Sequence, residues 1–171
     1  MPEAEKKIEE KKDEPIKFEE EKPVTTKHAL GAMKYTATAG RMPIFNEKNE
    51  IDAQVFYVAY VRDGIRAKEK RPVTFVFNGG PGSPAVWLHL GAVGPRRVKM
   101  DKDGFMPPGP YRLVDNPSTW LDETDLVFID PVGTGFSRAK DEKTSEKACG
   151  LKGDIESVGE FVRMWLVRNA R

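Results

Sequence analysis

A short apolar run that stops at a cluster of glycines and prolines is the feature that most limits how this chain folds. Residues 73–77 (VTFVF) have the length and the β-branching of a strand that is buried on both faces. Residues 78–82 (NGGPG) end this strand, and residues 85–93 are apolar enough for a short helix. A strand that turns directly into a helix is typical of an open α/β sheet, in which ligands bind at this edge.

Two patterns elsewhere extend the predicted sheet. Alternating apolar residues at 34–39 and 53–61, separated by turn formers at 46–50, predict an antiparallel pair of strands. Residues 125–129 (DLVFI) predict a second buried strand, and it also ends in a glycine turn. The glycines and prolines of residues 99–116 predict a loop.

The last stretch of the chain predicts a helix that faces the core. From residue 153 onward, apolar residues recur at helical spacing. The residues expected on the buried face are Ile155, Val158, Val162, Trp165 and Leu166. The order of elements therefore predicts an α/β fold in which helices cover both faces of the parallel strands.

The composition of the chain limits its class. Residues 1–27 carry nine acidic residues and seven lysines, which predicts a disordered or marginally helical leader before one domain over residues 28–171. The net charge of +1 gives no basis for nucleic-acid binding. No apolar run reaches the roughly 18 residues of a membrane span, and residues 1–10 carry charges instead of a signal-peptide core. We expect no membrane association and no export signal, and the compartment stays open.

The cysteine and histidine content argues against stapled or metal-dependent folds. The single Cys149 cannot form an internal disulfide or a cysteine-based zinc site. The two histidines, His28 and His89, show no HExxH pattern, so we expect no metal and no cofactor. We interpret His89 as an ordinary helix residue and His28 as solvated.

The glycine turn at 78–82 can do chemistry as well as reverse the chain. Its glycines let a ligand approach the peptide N–H groups without a Cβ in the way. Two adjacent amides can then point at one oxygen, as a tetrahedral acyl-transfer intermediate requires, and one such donor contributes about 2.7–4 kcal/mol in the transition state. A turn that only reverses the chain is the alternative. A phosphate site at this turn is disfavoured because the turn lacks the Gly-Lys-Ser/Thr of a P-loop. A dinucleotide site at the second glycine turn is disfavoured as well, because residues 133–138 lack the third glycine of a dinucleotide-binding turn.

Four motifs in this order carry a resemblance to a known family. They are residues 77–83 (FNGGPGS), 90–95 (LGAVGP), 116–120 (NPSTW) and 127–137 (VFIDPVGTGFS). Together they resemble the serine carboxypeptidases of the carboxypeptidase Y and cathepsin A type, over residues 28–171 and with most similarity to the bacterial branch. The resemblance implies an α/β-hydrolase fold, of which the chain holds an incomplete N-terminal part: a β-hairpin, then buried strands alternating with helices.

The resemblance also implies roles for particular residues. The family removes single residues from peptide C-termini by acyl-enzyme chemistry with a Ser-Asp-His triad. Carried over by position, Gly80 would donate one oxyanion-hole amide, and Asn78 with the Gly79 backbone would hold the terminal carboxylate of the substrate. Charge-assisted bonds of this kind contribute roughly 1.5–3 kcal/mol each. The residues that would shape the site are Pro81, Gly82, Asp130, Pro131 and Gly133.

Two positions depart from the family pattern. Ala92 stands where many relatives carry a glutamate in the network that binds the substrate carboxylate, so recognition of that carboxylate at low pH would be made differently. Ser83 stands where eukaryotic members carry a disulfide cysteine, which agrees with the single cysteine of the chain.

No serine of the chain fits a nucleophile elbow, which requires Gly-x-Ser-x-Gly on a strand-to-helix turn. The nearest match is residues 135–139 (GFSRA), which lack the second glycine. In the family the elbow follows the helix that we place at 154–170. We therefore expect the N-terminal portion of a longer serine carboxypeptidase that is inactive by itself.

Two other interpretations stay open. One is a nucleophile-free module that binds peptide C-termini, and the other is a subunit that completes its fold with a partner carrying the triad. Peptide or protein C-termini would be the partners of the carboxypeptidase and of the binding module, and an unpaired sheet edge would favour association with another chain. Family members are exported, periplasmic, lysosomal or vacuolar.

Overall fold

The protein is described here by a computed structural model, which covers residues 14–19, 21–79 and 82–171. Its strands are β1 (Val24–Leu30), β2 (Met33–Phe45), β3 (Ile51–Arg62), β4 (Val73–Val76), β5 (Arg96–Val98), β6 (Leu113–Asp115), β7 (Asp125–Ile129) and β8 (Arg138–Ala139). Its helices are α1 (Val86–Leu88), α2 (Glu142–Cys149) and α3 (Leu151–Arg168). A π-helical turn at His89–Val93 continues α1, and 3-10 turns lie at Lys68–Lys70 and Trp120–Asp122.

The main sheet has the strand order β1-β2-β3-β7-β4, and β8 pairs with β3. Neighbours from β1 to β7 are antiparallel, whereas β4 and β7 are parallel. The turn between β2 and β3 is held by Asn46, whose Oδ1 accepts from the backbone N–H groups of Lys48 (2.9 Å) and Glu50 (3.0 Å). The predicted hairpin, the buried strand at 125–129 and the α/β class are confirmed. The strand predicted at 73–77 is present as β4, but it is only partly buried because it lies at the end of the sheet.

Two apolar clusters lie on opposite faces of this sheet. On one face Phe161, Met164 and Trp165 of α3 pack with Val127 and Ile129 of β7. On the other face Leu126 and Phe128 of the same strand pack with residues of β2, β4, the turn that follows β4 and the 3-10 turn before β7: Met33, Tyr35, Val76, Ala85 and Leu121. Every residue of β7 is buried, which is why residues 126–129 are a continuous apolar run.

The segment before the hairpin is more ordered than its composition suggests. Residues 24–27 were expected to belong to an unstructured leader, but they form the first half of β1. This strand is almost entirely exposed, and it is held by seven residue pairs with β2 instead of by apolar burial. Charge and hydropathy do not report backbone pairing, which explains the difference. The remainder of the leader prediction falls mainly on residues 1–13, outside the described part of the chain.

Three further elements differ from the sequence-based expectation. The polar helix α2 was not expected, because none of its residues is buried; Asp141 caps it by accepting from Thr144 N–H at 2.7 Å. Residues 113–115, placed in a loop, form β6 and pair with β5. Helix α3 begins at Leu151, and Ile155 is 64% exposed. Gly153, in the first turn of α3, lies against Lys147 and Ala148 of α2, and Val158 is the first α3 residue that packs on the core.

Strand β4 lies at the end of the sheet, and β7 is its only strand neighbour within residues 14–19, 21–79 and 82–171. The glycine turn that follows β4 is therefore at the parallel part of the sheet and next to its open edge. None of the helices in the described residues is both long enough and apolar enough to cross a membrane.

Candidate functional site

The glycine turn leaves the sheet where β4 ends. Its first residues, Asn78 and Gly79, follow the last strand residue, Val76, by two and three positions. Gly82 has a φ of +96°, a conformation that strongly favours glycine. A Cβ at Gly79 or Gly82 would meet open space, so a ligand can approach the backbone there. Gly80 and Pro81 lie outside the described residues, and the oxyanion role of Gly80 stays a prediction.

The side-chain amide of Asn78 is the polar group of this turn that is free to bind. Within the described part of the chain, Asn78 Oδ1 is buried and has no hydrogen-bond partner. Leaving such a group unpaired costs about 1–3 kcal/mol. Rotation of the amide exchanges its donor and acceptor ends, so Nδ2 can be presented to a carboxylate. The amide can therefore gain a bond when a ligand enters.

A buried carboxylate connects this turn to the loop after β7. Asp130 is 7% exposed, and its Oδ1 accepts from the backbone N–H of Ala85 at 2.9 Å. Its Oδ2 accepts from the backbone N–H of Phe136 at 3.1 Å. The first donor follows the glycine turn and the second lies in the loop 130–137. Asp130 thus holds together the two glycine-containing loops that the sequence analysis singled out.

Gly135 and Ser137 make this connection possible. Gly135 has a φ of +47°, and a Cβ there would overlap the Asp130 carboxylate. Ser137 is fully buried; its Oγ donates to the Asp130 carbonyl at 2.6 Å and accepts from Phe56 N–H at 2.8 Å. Its hydroxyl therefore joins β3 to the end of β7, which is a structural role. The sequence had presented Ser137 only as a poor match to a nucleophile.

Pro131 and Gly133 occupy the far side of the same loop. The Pro131 carbonyl accepts from Thr134 N–H at 3.0 Å and closes a tight turn. Gly133 has a φ of +82°, and a Cβ there would lie 3.2 Å from Ser145 Oγ of α2. Gly133 therefore lies against α2, whereas Asp130 contacts the segment after the glycine turn.

The motif at 116–120 supports the turn that carries Ala92. Asn116 is buried and its Nδ2 donates to the carbonyls of Ala92 (2.7 Å) and Gly94 (2.8 Å). Thr119 Oγ1 donates to the Val93 carbonyl at 2.9 Å. These bonds satisfy carbonyl groups at the C-terminal end of the π-helical turn. The motifs at 90–95 and 116–120 therefore form one structural unit behind the glycine turn.

His89 connects the same turn to the core. Its Nε2 lies 2.7 Å from Tyr60 Oη, and its ring is stacked on Phe128 with centroids 4.4 Å apart. Burial lowers the pKa of His89 to about 4 and raises the pKa of Tyr60 to about 12. His89 is thus a neutral packing residue, and His28 is exposed on β1.

Acid is expected to destabilise the fold through His89. Above pH 6.5 the imidazole is neutral in both states, so its contribution to stability is fully present. Between pH 6.5 and about 4 only the unfolded state binds the proton, which lowers the free energy of unfolding by a total on the order of 3 kcal/mol. Urea unfolding at pH 7.0 and 4.5 should show a smaller difference for His89→Gln than for the unaltered chain. His28→Gln is the matched control, and an unchanged pH dependence in His89→Gln would contradict the assignment.

Comparison with known proteins identifies the family to which this chain belongs. A family model described as "Serine carboxypeptidase" matches residues 31–171. The chain belongs to the serine carboxypeptidase family. As a member of that family it has the N-terminal part of an α/β-hydrolase fold, as expected.

The similar proteins are fungal and plant serine carboxypeptidases. Pheromone-processing carboxypeptidase KEX1 of Saccharomyces cerevisiae is 32% identical over 116 residues, which are 64% of this chain and 15% of that protein. Serine-type carboxypeptidase F of Aspergillus niger is 34% identical over 129 residues, 74% of this chain and 21% of that protein. A crystal structure of the S. cerevisiae prohormone-processing carboxypeptidase KEX1(delta)p matches at 25% identity with a TM-score of 0.49, covering 73% of this chain and 28% of that one.

This serine carboxypeptidase chain therefore spans about a fifth of the length of these relatives. The expected similarity to the bacterial branch has no support from them, since they are eukaryotic. The structure joins Asp130 to the segment after the glycine turn, and within the described residues it leaves Asn78 Oδ1 without a partner. The roles of Asn78, Gly79 and Gly80 in substrate binding stay predictions.

Proposed function

We propose that this chain forms the oxyanion-hole and carboxylate-clamp side of a serine-type carboxypeptidase, which hydrolyses C-terminal peptide bonds. The Gly80 amide stabilises the tetrahedral intermediate, and Asn78 with the Gly79 amide holds the substrate's terminal carboxylate. The nucleophile, the acid and the base belong to polypeptide that these 171 residues do not include. The half-buried Asn78 side chain, whose Oδ1 is buried and has no partner within the described residues, is the observation that supports the clamp most directly.

The position of the turn supports the same proposal. The glycine turn lies at the carboxyl end of a parallel strand, where open α/β sheets bind their ligands. Asp130 accepts a charge-assisted bond from Ala85 N–H, which restrains the segment directly after the turn. Ala92 has no carboxyl group, and the clamp is therefore proposed to work without the glutamate of many relatives.

A carboxylate clamp must prefer a free acid to an amide. We expect the chain to bind an N-blocked dipeptide about tenfold or more tightly than its C-terminal amide, since the lost charge-assisted bonds contribute roughly 1.5–3 kcal/mol each. Isothermal titration of both peptides measures this preference, and the 171-residue chain should leave the peptide intact. Asn78→Ala should reduce the preference, because only the bond from the Gly79 amide would remain.

Asn169→Ala serves as the control because Asn169 caps the far end of α3, where its Nδ2 donates to the Trp165 carbonyl. Equal affinity for the acid and the amide would refute the clamp. Turnover that a serine-directed inhibitor blocks would refute the statement that the triad lies outside these residues.

A binding module that lacks a nucleophile would pass the same affinity test. The coding sequence beyond Arg171 separates it from the enzyme, because an enzyme requires a Gly-x-Ser-x-Gly elbow on a strand that follows α3. We also propose that an extended strand, from the remaining polypeptide or from a partner subunit, pairs with the open edge of β4.

A further inference from the structure

A chain of contacts runs from the segment before β1 to the glycine turn. The Glu21 carboxylate binds Arg41 Nη1 at 2.8 and 2.9 Å, and Arg41 Nε donates to the Phe136 carbonyl at 3.2 Å. The Phe136 N–H donates to Asp130 Oδ2, and Asp130 Oδ1 accepts from Ala85 N–H. We infer that Arg41 is a positioning residue of the candidate site. It acts through the backbone of Phe136 and through Asp130 on the segment after the glycine turn.

Arg41 occupies a place where a single side chain can transmit this effect. The guanidinium group is planar and rigid, so the ion pair at Nη1 also sets the direction of the Nε–H bond. Both backbone polar groups of Phe136 are then engaged, one by Arg41 and the other by Asp130. The Phe136 ring also packs on Phe56 of β3, with centroids 5.1 Å apart. Phe136, whose N–H orients the Asp130 carboxylate, is therefore held at its N–H, at its carbonyl and at its ring.

The ion pair between Arg41 and Glu21 is not the main contribution of Arg41. The side chains of Arg41 and Glu21 are 32% and 51% exposed, and pairs at such exposure contribute little to stability. The contact to Phe136 differs, because it restrains a loop in which Gly133 and Gly135 both have positive φ. Such a loop has many alternative conformations, and each restraint removes some of them. Arg41 therefore acts on the order of the loop more than on the stability of the fold.

The segment that carries Glu21 is itself anchored beside this loop. Ile16 N–H donates to the Lys140 carbonyl at 2.7 Å, immediately beyond β8. The Glu19 carbonyl accepts from Gln54 Nε2 of β3, also at 2.7 Å. These contacts bring Glu21 to Arg41 and give the charged segment a role in the order of the site.

Amide hydrogen exchange of the 171-residue chain tests the inference without a ligand. In Arg41→Ala we expect the N–H groups of Phe136 and Ala85 to lose protection by about fivefold or more, because one restraint of the loop is lost. The urea midpoint should stay unchanged. Arg163→Ala is the matched control, since Arg163 makes a similar pair with Glu160 on α3, at 2.6 and 2.7 Å, away from the loop.

A charge reversal separates the loop contact from the ion pair. Glu21→Arg combined with Arg41→Glu restores opposite charges, but a glutamate at position 41 has no donor for the Phe136 carbonyl. Protection of Phe136 and Ala85 should therefore stay low in this double variant. Recovery of protection, or unchanged protection in Arg41→Ala, would overturn the inference.

A peptide-binding measurement connects this inference to the proposed function. This measurement, unlike hydrogen exchange, rests on the proposed carboxylate clamp. Affinity for the blocked dipeptide should fall about threefold to tenfold in Arg41→Ala and stay the same in Arg163→Ala. If the unaltered chain does not bind the dipeptide, the proposed clamp fails, whereas the exchange experiment still decides the role of Arg41. If the unaltered chain binds and Arg41→Ala binds equally well, the positioning role is wrong.

Discussion

Replacement of Asp130 by alanine is expected to lower the free energy of unfolding by about 3–6 kcal/mol, since hydrogen bonds to a charged group contribute about 1.5–3 kcal/mol each. The carboxylate is 7% exposed and accepts from two backbone N–H groups, those of Ala85 and Phe136. Alanine leaves the Ala85 N–H buried without a partner. Urea unfolding of both chains at pH 7 measures the loss, and Asp130→Asn, which retains one acceptor, should lie between them.

The control for Asp130 is another aspartate that binds two backbone amides. Asp101 Oδ1 accepts from the N–H groups of Asp103 (2.9 Å) and Phe105 (2.8 Å), but it lies on an exposed loop. Because water replaces a lost partner there, Asp101→Ala should cost less than about 1 kcal/mol. Equal decreases in the free energy of unfolding for Asp101→Ala and Asp130→Ala would contradict the expectation that burial strengthens the contribution of Asp130.

Replacement of Asp125 by alanine is expected to cost about 3–5 kcal/mol, the usual loss when one partner of a buried ion pair is removed. Asp125 Oδ1 accepts from Arg71 Nε at 3.0 Å and from Arg62 N–H at 2.9 Å, and Oδ2 binds Arg171. The side chains of Arg71 and Arg171 are 9% and 5% exposed, so both would stay buried with less compensation. The free energy of unfolding in urea measures the effect.

An exposed ion pair provides the comparison for Asp125. Asp115 binds Arg96 at 3.1 Å across the hairpin of β5 and β6, with side chains that are 56% and 43% exposed. Asp115→Ala should change stability by less than about 1 kcal/mol. If Asp125→Ala fails to fold, Asp125→Asn is the second variant, because asparagine keeps a polar group of the same size. Its free energy of unfolding should fall by less, for the same reason: the buried arginines lose their charged partner. A loss below about 1 kcal/mol in Asp125→Asn and Asp125→Ala would contradict the buried network.

The elements that sequence reasoning predicted correctly are those with a strong local pattern. The runs at 73–77 and 125–129 both contain strands, as their β-branched and apolar residues predict; β7 is buried throughout, whereas β4 ends at Val76 and is only partly buried. The hairpin follows from alternation and from Asn46 in its turn. The two glycine turns follow from the residues that end each strand. Such patterns are local properties of the chain, and no knowledge of the tertiary structure is needed to find them.

The elements that were missed depend on contacts between distant residues. The strand β1 is held by backbone pairing with β2, which leaves no trace in its hydropathy. Ile155 has helical spacing with Trp165, yet it is exposed because the first turns of α3 lie beside α2. The sequence assigned Asp130 to the site only by resemblance, and its contact with Ala85 crosses 45 positions of the chain.

The sequence alone determined the class of the fold, the two glycine turns at the ends of buried strands, and the family. Each depends on residue types at short spacing, because φ preferences, β-branching and apolar runs act on near neighbours. Tertiary structure decided which groups meet at the site: the Asp130 carboxylate with Ala85, Arg41 with Phe136, and His89 with Tyr60. These are hydrogen bonds between residues 29 to 95 positions apart. They form only when packing of the sheet has brought the donors and acceptors within 3.2 Å of one another.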